Sequence, residues 1–163
     1  MDGATMWAEM EHEAAITRRF LERVPLDQVD WKPHEKSMTL GELTFHLADI
    51  PSWVPVTVNQ DVFEMEAPYE PQAADTVESL LEIFDRNVAG AKEALAGVGH
   101  EALMAPWTMK HGGEVVFSMP KVAVLNAFCT KHTVHHRAQL GVYLRLLDVP
   151  VPSTYGPSAD EQG

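Results

Sequence analysis

The sequence predicts an all-α protein, a four-helix bundle with a short β-hairpin inserted between helices 3 and 4. Four stretches repeat apolar residues at steps of three and four, which is the spacing of one buried helix face. One further segment alternates around two glycines, as strands of a hairpin do. The chain has 163 residues, 45% of them hydrophobic. That is enough for one complete core, so residues 1–163 are expected to form a single domain.

The first helix is predicted from about Ala4 to Val24, where Pro25 stops the pattern. Its inward positions follow steps of three and four: Trp7, Met10, Ala14, Thr17, Leu21 and Val24. Residues 26–37 show no sustained periodicity. They are interpreted as an ordered linker anchored by one aromatic side chain, Trp31.

The second helix is capped by Ser37 or Thr39, with Glu42 placed to complete a capping box from Thr39. Its inward stripe contains Leu43, His46, Ile50 and Trp53. Because Pro51 and Pro55 lack backbone donors, the helix is expected to kink just past the histidine or to divide in two.

A Pro-rich loop over residues 66–74 precedes the third helix, and it is long enough to cross from one end of a bundle to the other. Asp75 is predicted to cap this helix, with Glu78 at the capping-box position. Gly97 and Gly99 are expected to end it. Its stripe carries no histidine: Val77, Leu80, Phe84, Val88, Ala91 and Leu95.

The hairpin is predicted within Pro106–Met119, with its turn at Gly112 and Gly113. Pro120 suits the first turn of the fourth helix, which is predicted from about Lys121 to Leu147. The proline-rich tail that follows is expected to be extended and packed on the surface.

Charge and composition limit the possible partners. With 24 acidic against 12 basic residues, the net charge of −12 repels phosphate backbones, so no nucleic-acid partner is expected. No apolar run approaches the length of about 20 residues that a membrane span needs. One cysteine, Cys129, permits no internal disulfide, and Met1–Thr5 lack the features of a signal peptide. A cytoplasmic location is therefore expected.

Three histidines fall on predicted core faces. The core-facing stripe of the fourth helix contains Leu125, Cys129, His132, His136, Leu140, Tyr143 and Leu147. His132 and His136, four residues apart, aim their rings at one point, as in zinc-binding helices. His46 adds a third ring from the second helix. A buried ring nitrogen without a partner costs about 1–3 kcal/mol, so these rings must hydrogen-bond across the core or share a ligand.

Two interpretations of the histidines remain open. In the first, the rings bind a metal ion: three neutral nitrogens suit zinc, nickel, iron or copper, and three protein ligands with a coordination position left open are typical of a catalytic site. Alternatively, the rings are core residues that pair with Tyr143, Gln139 or backbone carbonyls. His135 lies about 100° round the helix from His136, so it is a spare, although a pair with His132 is possible.

Residues beside the three histidines can also be interpreted either as part of a metal site or as ordinary structural residues. Cys129 could supply a thiolate ligand, but free cysteine is commonly buried. Glu42 and Asp49 flank His46 and could hydrogen-bond to its ring, although a solvated helix face also explains them.

Two more side chains on the fourth helix are predicted to bind a cofactor or substrate, Arg137 and Tyr143. Arg137 or Arg145 could pair with a substrate carboxylate through two hydrogen bonds. Arginine is also a routine residue of helix surfaces. The sequence has no Gly-rich phosphate loop, nucleophile elbow or C-x-x-C motif.

Three phrases of the sequence resemble one family over nearly the whole chain. They are Thr39–Ala48 (TLGELTFHLA) with Trp31-Lys32-Pro33 before it, His132–Leu140 (HTVHHRAQL), and the ending Val149–Glu161. They look like the DinB-like family of proposed metalloenzymes. Lys131 stands where the family often has Asn, and Ala138 replaces a common Gly.

The resemblance implies an up-up-down-down four-helix bundle, usually a homodimer, with a divalent metal ion such as zinc, nickel or iron. Its three histidine ligands match His46, His132 and His136 here. Characterised relatives resemble thiol-dependent transferases and isomerases, in which the metal would lower the pKa of a low-molecular-weight thiol that reacts with a small-molecule substrate. The alternatives are metal-assisted hydrolysis and a stress-response module that binds metal without turnover. Arginines near an open site would favour an anionic thiol.

Overall fold

The computed structural model describes residues 1–162 as seven α-helices and one three-stranded sheet. The helices are α1 (Gly3–Leu21), α2 (Leu40–Asp49), α3 (Trp53–Asn59), α4 (Val77–Leu95), α5 (His100–Met104), α6 (Lys121–Val124) and α7 (Lys131–Leu146). The strands are β1 (Val62–Met65), β2 (Pro106–His111) and β3 (Glu114–Pro120). Across these residues, no helix is both long and apolar enough to cross a membrane.

Four helices share the main core. Helix α1 packs against α4 and α7, and α2 packs against the same two helices. The core between them is built mainly from fully buried leucines: Leu21, Leu40, Leu43, Leu47, Leu80, Leu95, Leu125, Leu140 and Leu144. This packing sets α2 beside α7, and those are the two helices that carry the three histidines.

The second predicted helix is divided, as its prolines predict. Thr39 caps α2, and Thr39 and Glu42 form the expected capping box. A 3₁₀ turn at Ile50–Ser52 separates α2 from α3. The side chain of His46 therefore lies in the last regular turn of α2, just before the chain changes direction.

The cap of α4 differs from the prediction by one residue. Thr76 is the N-cap, and Thr76 and Ser79 form a reciprocal capping box in place of Asp75 and Glu78. The Thr76 hydroxyl accepts from the Ser79 amide at 3.1 Å, and the Ser79 hydroxyl accepts from the Thr76 amide at 3.2 Å. Two short hydroxyl side chains therefore satisfy the donors that the prediction gave to carboxylates.

The predicted hairpin is present and belongs to a larger sheet. Strands β2 and β3 are antiparallel, and Gly112 and Gly113 take positive φ angles of 59° and 82° in the turn. Strand β1 pairs in parallel with β2, an element that the sequence reading missed. Only four residues form it, which is too short for alternation to be recognised. The sequence reading also missed α5.

The predicted helix Lys121–Leu147 is interrupted by a π-helical segment at Leu125–Thr130. The wider turn changes the side-chain phase within that helix. As a result α7 buries Thr133 and Arg137 alongside the predicted stripe, and Phe128 in the π segment is 43% exposed. Segments of this kind are frequent at functional sites, and this one ends just before the first histidine of α7.

Candidate metal centre

Three imidazoles from α2 and α7 meet at one point. Nε2 of His132 lies 2.9 Å from Nε2 of His46 and 3.1 Å from Nε2 of His136. The three rings are nearly perpendicular to one another. We call these residues the histidine cluster. The structure thus brings together the three histidines that the sequence predicts.

The hydrogen bonds within the histidine cluster cannot all be satisfied by protein atoms. Gln139 accepts a hydrogen bond from Nδ1 of His136 at 2.7 Å through its side-chain oxygen, which leaves the Nε2 lone pair of His136 facing the cluster. A neutral ring carries one proton, so Nε2 of His132 can donate to only one of its two neighbours. Such an arrangement is typical of a ligand histidine oriented by a second hydrogen bond.

The surroundings keep these rings neutral. Burial, together with the adjacent rings of His136 and His132, lowers the pKa of His46 to about 4. Burial also lowers the pKa of His132 and of His136, and for His136 the bond to Gln139 acts in the opposite direction. Neutral imidazoles are the form that binds metal ions, because the coordinating nitrogen must have a free lone pair.

The donor set fits a divalent metal ion. Nitrogens that share one ion lie about 3.0–3.4 Å apart when each is about 2.1 Å from it, close to the separations found here. The ligand atoms of His46, His132 and His136 all lie within 4.8 Å of one another. The histidine cluster could therefore hold one ion, with positions left open for other ligands.

Two spaces of different character meet at the cluster. An open groove of about 700 Å³, the polar groove, is lined by all three histidines and by polar side chains that include Lys36, Ser37, Glu42 and Glu70. A smaller cavity of about 150 Å³, the aromatic cavity, shares His46 and His132 with the groove but is otherwise mainly apolar. The cluster is thus reached from two directions.

Tyr69 separates the two spaces. Its ring lies edge-on to His46 at 5.6 Å and lines both the polar groove and the aromatic cavity. Its hydroxyl donates to Asp49 at 2.5 Å, and burial together with this bond raises the pKa of the phenol. Asp49 therefore holds the tyrosine, whereas Glu42 is engaged with the Thr39 amide in the helix cap. Sequence reading missed Tyr69 because it lies in a loop without periodicity.

Cys129 is not part of the histidine cluster. Its thiol is buried between the core and the aromatic cavity, and burial raises its pKa to about 12. A thiol with this pKa is protonated at neutral pH and is a poor nucleophile. The structure therefore favours the packing interpretation of Cys129.

The structure does not bring Arg137 to the histidines. Its guanidinium, 2% exposed, pairs with the Glu13 carboxylate at 2.7 Å and donates to the Thr17 hydroxyl and, at 2.7 Å, to the Tyr155 hydroxyl. Tyr155 in turn donates to Glu13 at 2.8 Å. We call these four residues the Arg137 network. The predicted role in cofactor binding is not supported, because every partner of this arginine is a residue of α1 or the tail.

Tyr143 and Arg145 also have protein partners. The Tyr143 hydroxyl donates to the carbonyl of Met38, and its ring lies edge-on to Trp31. Arg145 pairs with Asp160 of the tail. Neither Arg137 nor Arg145 lines the polar groove. These two arginines therefore do not supply the positive charge that would favour an anionic thiol. The charged groups of the groove are Lys36 and two glutamates.

The fold and the cluster define a small, mostly helical protein whose three histidines could hold a metal ion. The chain belongs to the DinB superfamily, whose family model matches residues 9–140. It is 24% identical over 155 residues to the uncharacterized protein YrdA of Bacillus subtilis (strain 168). The aligned region covers 93% of this chain and 86% of YrdA.

Two solved structures share the fold. A DinB-like protein from Bacillus cereus ATCC 10987 has a TM-score of 0.68 and 17% sequence identity, with 92% of this chain and 95% of that chain covered. The DinB-like protein YjoA from Bacillus subtilis has a TM-score of 0.71 and 18% identity, with 97% and 98% covered. At these identities the likeness establishes the fold alone.

Proposed function

We propose that this protein is a metal-dependent enzyme that transfers a low-molecular-weight thiol to an electrophilic small molecule, as an S-transferase or isomerase. His46, His132 and His136 would hold one divalent ion, either zinc, nickel or iron. The observation that carries the proposal is the convergence of three Nε2 atoms at the floor of the open polar groove.

The chemistry requires a thiolate at neutral pH. When bound, a divalent ion lowers the pKa of a thiol well below its free value of about 8.5. In the transferase reaction the thiolate sulfur would form a bond to the electrophilic carbon, the leaving group would depart with the bonding electron pair, and the thiol proton would pass to solvent. Cys129 cannot serve as the nucleophile in this scheme, since burial keeps its thiol protonated.

The polar groove suits the thiol better than the aromatic cavity does. It is large and open, and its charged side chains are Lys36, Glu42 and Glu70. Two carboxylates against one ammonium favour a thiol that carries a cationic amine over one that is purely anionic. Gln139 would hold the His136 ring through Nδ1.

Paired variants test the source of the nucleophile. Metal-loaded protein is assayed with a panel of thiols and electrophiles, and the cobalt-substituted form is monitored for spectral change on thiol addition. Cys129→Ser should retain most activity, whereas His132→Ala should abolish it. Loss of turnover in Cys129→Ser at normal metal content would assign the nucleophile to the protein and refute this mechanism.

Metal-assisted hydrolysis is the second candidate. The presence of Glu70 in the same groove as the histidines favours it, because a carboxylate can act as general base toward water. In that case no thiol would perturb the cobalt spectrum, and esters or amides would turn over without thiol. If neither reaction occurs, a stress-response module that binds metal without turnover replaces both.

We also propose a cytoplasmic location and, on the basis of the family membership, an up-up-down-down arrangement of a four-helix bundle. A homodimer is proposed on the same basis. Light scattering at micromolar concentration checks it, and a monomeric mass would count against it.

A further inference from the structure

We infer that the aromatic cavity is a binding subsite for one uncharged, single-ring group of the electrophilic substrate. This inference rests on the proposed function for its chemistry, although binding itself can be measured without turnover. The reacting atom would face His46 and His132, which form one wall of the cavity. The thiol would approach from the polar groove, which shares the same two histidines.

A continuous series of six aromatic rings, each from a different part of the chain, runs along the cavity. Neighbouring centroids are 5.1–6.3 Å apart, and the series runs Tyr69, Trp53, Phe63, Trp107, Phe117 and Phe128. All but Phe63 line the cavity. Aromatic pairs at these separations are favourable, in edge-to-face or offset stacked arrangements. A further flat ring would therefore find faces and edges of the same kind around it.

The volume of the cavity sets the size of the group. Apolar protein cavities of about 150 Å³ admit a molecule the size of benzene. The aromatic cavity has about this volume, so one ring fits inside it and a second fused ring would extend out of it. Phe128, which is 43% exposed, stacks on Phe117 at 5.3 Å and lies at the accessible edge of the series.

The polar atoms of the cavity wall are nearly all engaged, and among residues 1–162 no carboxylate, ammonium or guanidinium side chain lines it. The Thr57 hydroxyl donates to the Trp53 carbonyl, and the Tyr69 hydroxyl donates to Asp49. A charged group placed there would lose its hydration without gaining a partner. The exception is the indole N–H of Trp107, which is buried and has no acceptor among residues 1–162. The cavity therefore selects neutral rings against charged ones.

Fluorine NMR with three small probes tests the subsite on the full-length, metal-loaded protein. Fluorobenzene should bind saturably, whereas 4-fluorobenzylammonium and 1-fluoronaphthalene should each bind at least about tenfold more weakly, because of charge and of size. In the cobalt-loaded protein the bound fluorobenzene signal should relax faster than in the zinc-loaded protein, because the ring lies beside the histidines. Equal affinity for the neutral and the charged ring would overturn the inference.

A matched pair of variants adds a second measurement. Met109→Trp fills the aromatic cavity and should weaken fluorobenzene binding at least about tenfold, with metal content unchanged. Met104→Trp adds the same group at a position that is 48% exposed and outside the cavity. This variant should bind fluorobenzene with the affinity of the unmodified protein. Equal binding by both variants would refute the subsite. If fluorobenzene binds as expected but no thiol is transferred, the proposed function fails and the subsite remains.

Discussion

Helix α7 carries two polar clusters side by side, and they differ in how fully their hydrogen bonds are satisfied. In the Arg137 network, the buried guanidinium meets a carboxylate, a hydroxyl, a phenol and a backbone carbonyl. In the histidine cluster, Nε2 of His132 faces two other ring nitrogens and can donate to only one. A satisfied buried cluster is typical of a structural role, and an unsatisfied one of a ligand site.

The largest effect on folding is expected from the satisfied cluster. Arg137→Met leaves the Glu13 carboxylate buried without its cation, so the free energy of unfolding should fall by about 3–5 kcal/mol. Metal content should not change, since the guanidinium pairs with Glu13, Thr17 and Tyr155 and not with the imidazoles. Chemical denaturation and elemental analysis measure the two quantities.

The double variant Arg137→Met, Glu13→Leu is the control for this prediction, because it removes both charges and should recover much of the lost stability. A loss below about 1 kcal/mol in the single variant would mean that the ion pair contributes no more than an exposed one. Loss of metal together with stability would show that the two clusters are not independent.

A smaller effect, on metal affinity, is expected at Gln139. Gln139→Leu removes the acceptor of the His136 Nδ1 proton, which frees the ring to change tautomer. Changes at such supporting residues typically weaken metal binding 10- to 100-fold, or about 1.4–2.7 kcal/mol. Competition with a chelator measures the affinity. Gln28→Leu, at an exposed position of the linker, is the matched control. Equal metal affinities in the two variants would show that Gln139 does not support the metal site.

The smallest effect concerns the tail that closes over the Arg137 network. The Ser153 amide, Arg19 and Arg23 lower the pKa of Glu161 from 4.5 to about 2. Its contribution to stability is therefore complete above about pH 4.5 and is lost as the pH falls toward 2. Glu161→Gln should flatten the pH dependence of unfolding in this window, and Glu114→Gln, at the exposed hairpin, should not. An unchanged slope in the first variant would show that the tail contacts do not contribute.

The histidine cluster could be predicted from the sequence because it depends on local spacing. His132 and His136 share a helix face at any reasonable helix boundary, and the prolines after His46 correctly divide the second helix. The Arg137 network could not be predicted in this way. Its partner Glu13 lies 124 residues away in α1, and the phase that buries the arginine follows from the π segment. Such a segment is fixed by packing between elements and has no sequence periodicity of its own.

The aromatic cavity was missed for a similar reason. Its rings come from a helix, two strands, a loop and the π segment, and no window of the sequence contains more than a few of them. Strand β1, which contributes Phe63 to the series, was itself missed. Sites built from many short elements are visible only when the fold is known, whereas the two-helix histidine cluster is visible from spacing.

The most direct test of the central claim is the metal content of protein purified without an affinity tag, compared with that of the His46→Ala, His132→Ala, His136→Ala triple variant. The unmodified protein should contain one divalent ion per chain, and each single alanine variant should lose most of it. The triple variant should contain none while keeping its helical circular dichroism, because the main core does not include these rings. Full metal occupancy in the folded triple variant would contradict the assignment of the site.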